Sequence, residues 1–350
     1  MKTTFLDSNI KNIKNLQNNL QEINSTVRQL LDKTYESDLT FQKIQAVCGI
    51  QDCRFNTLLV VGEIDSTNDF LKSVAPTAPD GLVVLARSQT AGRGRRSRRW
   101  IMRADGSLIM SCLLKNVDRF ALNWINSAAA TAVCVTLNEI FASEFKIKWP
   151  NDVIYCDQVK FDQKNISENV QMKRESFNGH KKICGILSES EINANGVVDY
   201  VIIGMGLNIL KFESDTYTTD ELSNDPNSEI LLNPISLEEV VINFTDDGVI
   251  SNEPNIYNID SDVVDVPLLA LRILNKIDFY LKTIENGGIE EFLKVYKSIC
   301  ATLNTSVRVY LDNDKIIEGI ASGLGPMGEL EVVSNSGCIL VNVGDVVHLR

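Results

Sequence analysis

Between Ser88 and Trp100 the chain reads Ser-Gln-Thr-Ala-Gly-Arg-Gly-Arg-Arg-Ser-Arg-Arg-Trp, with five arginines in seven positions and glycines interleaved. Guanidinium groups neutralise phosphate and carboxylate in planar, bidentate pairs, and glycine lets a backbone approach a ligand closely. A loop so charged should be mobile when empty and order around an anionic ligand. A nucleic-acid patch or a localisation signal would use the same residues. Gly92-x-Gly94 lacks the third glycine of a dinucleotide fingerprint, and no GK[ST] phosphate loop occurs in the chain, so neither standard nucleotide motif applies.

Four other segments could meet a ligand. Asp65-Ser-Thr-Asn68 is a polar cluster closing an apolar run. In Lys148-Trp-Pro-Asn-Asp152 the proline should break a strand and direct Asn151 and Asp152 into a loop, although Pro-Asn-Asp would make a plain turn anyway. Lys182 opens the apolar run Lys-Ile-Cys-Gly-Ile-Leu187, where Gly185 permits close backbone approach. Gly204-Met-Gly-Leu-Asn208 ends another run in two glycines and an amide. Taken singly, each has a structural explanation at least as good as a functional one.

The elements that must position these residues are legible in the hydropathy pattern. TLLVVGEID, LVVLARSQT, SLIMSCLLK, KIKWPNDVIY, KICGILSES and YVIIGMGLNI read as strands, with a long Ala-rich helix between the third and fourth. Helical periodicity returns over PLLALRILNKIDFYLKTIE and IEEFLKVYKSIC. The remaining residues alternate in short runs, the pattern of a small β-barrel. Residues 1–50 are polar with a heptad-like apolar spacing, giving a helical extension without a helix-turn-helix. The expected division is therefore 1–50, a body over 51–302 with inserts at about 157–181 and 211–266, and a barrel over 303–350.

Composition narrows the classes. The net charge of −12 is concentrated: Lys211–Val266 holds fourteen acidic residues and one basic residue, leaving 33 basic and 32 acidic elsewhere. A near-neutral body argues against a nucleic-acid binder. The eight cysteines form no CxxC pair, and with only two histidines a zinc site is not expected; buried, reduced thiols fit a cytoplasmic setting. No apolar run is long enough to span a membrane, and the first residues lack a signal core.

In order, STN, Q-TAGRGRRSRRW, KWPND, KICGIL and GMGLN resemble the biotin–protein ligase family (biotin–[acetyl-CoA-carboxylase] ligases and holocarboxylase synthetases) over roughly residues 57–210. The lipoate–protein ligases, which run the same two-step chemistry, lack this arginine loop. The resemblance implies an α/β (α+β) fold: a mixed β-sheet resembling class II synthetases, with a small C-terminal SH3-like β-barrel. It implies ATP-dependent formation of biotinyl-5′-AMP and transfer of biotin to a lysine of a biotin carboxyl carrier domain. Mg²⁺ would accompany ATP near Asn208, with no protein-only metal site.

Carried over by position, Ser66, Thr67, Asn68, Gln89, Arg93, Gly94, Arg95, Lys182 and Gly185 would bind biotin. Arg93, Arg95, Arg96, Trp100, Asn151, Lys182, Gly204, Gly206 and Asn208 would bind ATP or the adenylate. Lys182 and Arg95 would offset the repulsion between biotin's carboxylate and the α-phosphate, and Asp152 would assist deprotonation of the acceptor lysine. No nucleic-acid, operator or membrane partner is expected, and the protein should be a monomer or homodimer. The acidic insert, which would repel ATP, should project away from the site and be dispensable for adenylation.

Overall fold

A computed structural model describes residues 53–141, 143–156, 180–211, 233–240, 257–258, 263–264, 266–311 and 315–349. The expected N-terminal helix and most of the two inserts lie outside the described residues.

The first β-α-β unit follows from alternation giving way to a capped helix. Strand β1 (Thr57–Ile64) leads into helix α1 (Thr67–Val74), whose N-cap Ser66 accepts from the Asp69 amide. Strand β2 (Leu82–Gln89) returns parallel to β1. All later pairings in the main sheet are antiparallel: β3 (Ser107–Leu114), β7 (Val198–Asn208), β6 (His180–Ile192), β5 (Asp152–Cys156) and β4 (Phe145–Lys148), giving the order β1-β2-β3-β7-β6-β5-β4. The sheet is mixed, as expected. KIKWPNDVIY forms two strands, β4 and β5, because the Trp149-Pro150-Asn151 turn divides it.

Period-two alternation sorts residues onto the two faces. Val84, Ile109, Leu113 and Ile202 meet Phe70, Leu71 and Val74 of α1. Val83, Leu108, Met110 and Ile203 share the opposite core with a short helix α2 (Arg119–Leu122), the Ala-rich α3 (Ile125–Phe141), α4 (Val266–Glu285) and α5 (Ile289–Ile299). The alanines of α3 let it sit close against the sheet while α4 covers its outer side. A two-residue pairing, β8 (Tyr257–Asn258) with β9 (Val263–Val264), precedes α4. Five cysteines, Cys112, Cys134, Cys156, Cys184 and Cys300, are free and buried.

The terminal strands β10 (Ser306–Tyr310), β11 (Ile316–Leu324), β12 (Leu330–Ser334), β13 (Gly337–Val341) and β14 (Asp345–His348) form a separate antiparallel sheet, ordered β13-β12-β11-β10-β14, in keeping with the small barrel expected. Its apolar core contains Val307, Val309, Leu330, Val332, Val346 and one residue from the body, Trp149. The Trp149 amide donates to Thr302 Oγ1 at 3.0 Å, and that hydroxyl lies 3.0 Å from His348 Nε2. Trp149 Nε1 donates to the Gly328 carbonyl at 3.3 Å.

The acidic insert does not project away throughout. Its segment 233–240 lies along the body: the Lys182 amide donates to the Asn233 carbonyl, and the Ile235 amide to the Lys182 carbonyl. Ile235, Leu237 and Val240 are buried in the main core. The reason is local, since Ile-Ser-Leu-Glu-Glu-Val is apolar at the spacing that buries one side. The peripheral reading fails for this strap, and Leu237→Ala should cost about 2–5 kcal/mol in a urea titration, as for other truncations in a packed core.

Burial pushes the His348 imidazole down to about 3, with Lys148 and His180 adding like charge. A neutral His348 stabilises the fold fully above its free value of 6.5, and this contribution is lost as pH falls from there towards about 3. Between pH of about 7 and about 4 the wild-type protein should lose on the order of 2–3 kcal/mol more stability than His348→Gln, read from urea midpoints at each pH.

Candidate active site

The carboxyl ends of β2 and β7, the start of β6, the β4–β5 turn and the arginine loop enclose a cleft of about 410 Å³. That is within the range of small-molecule sites. Ser66, Thr67, Asn68, Gln89, Arg93, Gly94, Arg95, Trp100, Asn151, Asp152, Lys182, Gly185, Gly204, Gly206 and Asn208 all line it. Of the expected contacts only Arg96 does not. Its guanidinium reaches the other way, to Asp345 at 2.7 Å and the Tyr310 carbonyl at 3.0 Å.

One end of the cleft is neutral and polar. Gln89 Oε1 accepts from the Thr67 amide at 2.8 Å and the Thr67 hydroxyl at 3.1 Å, so its uncommitted group is the amide nitrogen, a donor. Asn68 Nδ2 donates to the Leu187 carbonyl at 3.3 Å and to Glu189 Oε2 at 2.8 Å, leaving Oδ1 as an acceptor. Buried Ser111 places its hydroxyl 2.7 Å from that Oδ1 and 2.6 Å from the Thr67 hydroxyl. Gly204 must lack a side chain here, because a Cβ would fall 2.2 Å from Asn68 Oδ1.

The other end is cationic. Lys182 Nζ lies 2.7 Å from Asp152 Oδ1 and 5.4 Å from the centroid of the Trp100 ring. Trp100 rests on bare backbone, since a Cβ on Gly206 would meet its indole at 2.3 Å. Arg95 donates to Asn151 Oδ1 at 3.0 Å and to the Gly344 carbonyl at 3.3 Å, while Asn151 Nδ2 donates to the Ile186 carbonyl at 2.8 Å. Asn151, expected to touch nucleotide, here holds Arg95. Lys148 is buried beside them; burial lowers its pKa, opposed by Asp152 and assisted by Lys182. Burial likewise lowers that of Arg95, opposed by Asp345 and Asp152. An anion entering this end would relieve a desolvation cost the protein already carries.

The loop's like charges are balanced by protein carboxylates. Arg98 and Arg96 share Asp345 Oδ2 at 2.5 and 2.7 Å, and Arg93 pairs with Asp69 and with Glu189. Burial raises the pKa of Asp345, but the Arg98 hydrogen bond and the charges of Arg98, Arg96 and Arg95 outweigh it and hold it below the usual range. Within the loop Gly94 N donates to the Arg98 carbonyl and Trp100 N to the Gly92 carbonyl. Asp345→Asn should therefore increase amide hydrogen exchange over residues 93–99 while leaving β3 and β7 protected; unchanged loop exchange would refute the anchoring role.

Sequence reasoning missed Ser111, Glu189 and Asp345, and named Lys148 only as the first residue of its segment, without a role. A hydroxyl within the apolar run SLIMSCLL and an acid directly after KICGILS were available signals for two of them. Nothing local marked Asp345, which acts across 247 and 249 residues of separation.

Residues 61–208 match the model of the biotin/lipoate A/B protein ligase family. It is 28% identical over 298 residues to the biotin–[acetyl-CoA-carboxylase] ligase of Mycobacterium tuberculosis, covering 83% of this chain and 88% of that protein. It is 23% identical over 296 residues to the bifunctional ligase/repressor BirA of Escherichia coli, covering 84% of this chain and 74% of the relative. The fold is shared with biotin protein ligase from Aquifex aeolicus in complex with biotin and ATP, at a TM-score of 0.58 and 23% identity, covering 85% of this chain and 100% of that one. No helix among the described residues is long and apolar enough to cross a membrane.

Proposed function

We propose that the protein is a biotin–protein ligase, which joins biotin to AMP and then transfers the biotinyl group to a lysine of a biotin carboxyl carrier domain. The observation that carries this reading is the cleft's two-ended chemistry. The second lone pair of Asn68 Oδ1, whose first accepts from Ser111, and the uncommitted donor on Gln89 complement the N–H and C=O groups of a ureido ring. A lipoyl dithiolane ring has neither and would leave both amides unpaired, which is costly in a closed site.

At the cationic end, biotin's carboxylate oxygen attacks the α-phosphorus of ATP, a P–O bond forms and pyrophosphate departs. Arg95, Lys148 and Lys182 offset the repulsion between the two anions and the charge that develops. The acceptor amine then attacks the acyl carbon, forming the amide while AMP leaves. Asp152, already paired with Lys182, can take the amine's proton as general base.

Asn208 Oδ1 is buried without a hydrogen-bond partner, and such an oxygen suits Mg²⁺ accompanying ATP; the ion would neutralise the departing pyrophosphate. Asn208 is fixed for this by donating Nδ2 to the Ile235 carbonyl at 3.1 Å.

Incubating the purified protein with ATP, biotin and a carrier domain should yield AMP, pyrophosphate and a mass increase on one lysine. Lys182→Ala should lower biotin-dependent pyrophosphate release by about 10²–10³-fold with its circular dichroism intact. Near-normal release by that variant would refute the assignment.

A further inference from the structure

Glu189 stands outside the expected site, yet every polar group it touches belongs to the site's neutral end, to the arginine loop or to α1 beside them. It lies in β6, with Oε1 2.5 Å from Lys72 Nζ and Oε2 2.8 Å from Asn68 Nδ2. Arg93 Nη2 lies 3.1 and 3.3 Å from its two oxygens. Burial raises the pKa of Glu189, but hydrogen bonds from Lys72 and Asn68 and the charge of Arg93 outweigh it and hold the carboxyl below its usual range. It is an acceptor and cannot donate.

A primary amide can be seated either way round, and the two orientations offer a ligand opposite hydrogen-bonding character. At Asn68 the choice is forced. Its NH₂ faces two acceptors, the Leu187 carbonyl and Glu189, while its oxygen faces the Ser111 hydroxyl. Turning the amide over would set its oxygen against a carboxylate and a carbonyl, with no proton between them.

We infer that Glu189 is a positioning residue that fixes the Asn68 amide with its oxygen toward the ligand, and so makes this end of the cleft select a ligand carrying N–H. The inference rests on the biotin–protein ligase reading and adds a determinant of substrate recognition to it. Lys72 and Arg93 keep Glu189 charged and in place; Glu189 acts on the ligand through Asn68.

The test compares Glu189→Gln with Glu189→Met. Both remove the charge that holds Lys72 and Arg93, and both match glutamate in length, but only glutamine can accept from Asn68. With saturating ATP and biotin-dependent pyrophosphate release as the assay, Glu189→Met should raise KM for biotin about ten- to hundredfold, with kcat within about threefold of wild type. Glu189→Gln should restore KM to within about threefold of wild type. A glutamine variant as impaired as methionine would overturn the inference, because lost charge and not amide orientation would then be responsible. A fall in kcat at unchanged KM would overturn it as well.

Should Glu189→Met not fold, Asn68→Asp decides. That change sets two carboxylates face to face and should raise KM for biotin about a hundredfold. Combining it with Glu189→Gln supplies an amide that can donate to the new carboxylate, and should recover about tenfold. No recovery in the double variant would overturn the inference. A wild-type protein that releases no pyrophosphate with biotin and ATP would instead refute the ligase reading, and this inference with it.

Discussion

Six cations, Arg93, Arg95, Arg98, Arg99, Lys148 and Lys182, line one cleft, and the fold must hold them there without neutralising them all. Only two carboxylates among its lining residues oppose them, Asp152 against Lys182 and Asp345 against Arg98. A surplus of positive charge in a half-closed space is unfavourable by itself, since the cations repel one another and burial strips Arg95 and Lys148 of water. It is tolerable because the partners are rigid: Asn151 clamps Arg95, the Trp100 face lies beneath Lys182, and main-chain carbonyls take further guanidinium protons. A site preorganised in this way is complementary to a pair of reacting anions.

The constraint explains why the small sheet is part of the site. Asp345 is carried by β14, and its position relative to the loop depends on how that sheet is seated. Trp149 sets the seating: its ring completes the small sheet's core, while its neighbours Lys148, Pro150, Asn151 and Asp152 line the cleft. Thr302 joins the two levels, accepting from the Trp149 amide and meeting His348 on β14. One turn thus serves as catalytic wall on one side and structural plug on the other, and neither sheet is correctly placed without it.

Much of this was legible in the sequence. The strands announce themselves by alternation, the mixed sheet follows from the family resemblance, and all but one of the expected site residues reach the cleft. Arg96 departs because arginines in a loop compete for counter-charges, and the winner is decided by a carboxylate far along the chain. The strap at 233–240 departs from the peripheral expectation because the net charge of a whole segment says little about a short apolar run such as Ile-Ser-Leu-Glu-Glu-Val within it. Ser111 and Glu189 touch the residues that meet the ligand and need only be correctly polar, which leaves little motif to read.

The strap changes how the insert relates to the chemistry. Its backbone pairs with Lys182 on both sides, donating from Ile235 and accepting at Asn233, and Ile235 also accepts from Asn208. The cation expected to face both reacting anions and the amide expected near the metal are therefore fixed by the same short segment. Its apolar anchorage comes from Ile235, Leu237 and Val240 in the core. The strap's contacts to Lys182 and Asn208 run through backbone carbonyls and amides, while its acids serve the strap's own seating: Glu238 accepts from the Lys211 amide, and Glu239 accepts from the Ser236 amide and hydroxyl at the turn that carries Leu237 and Val240 into the core.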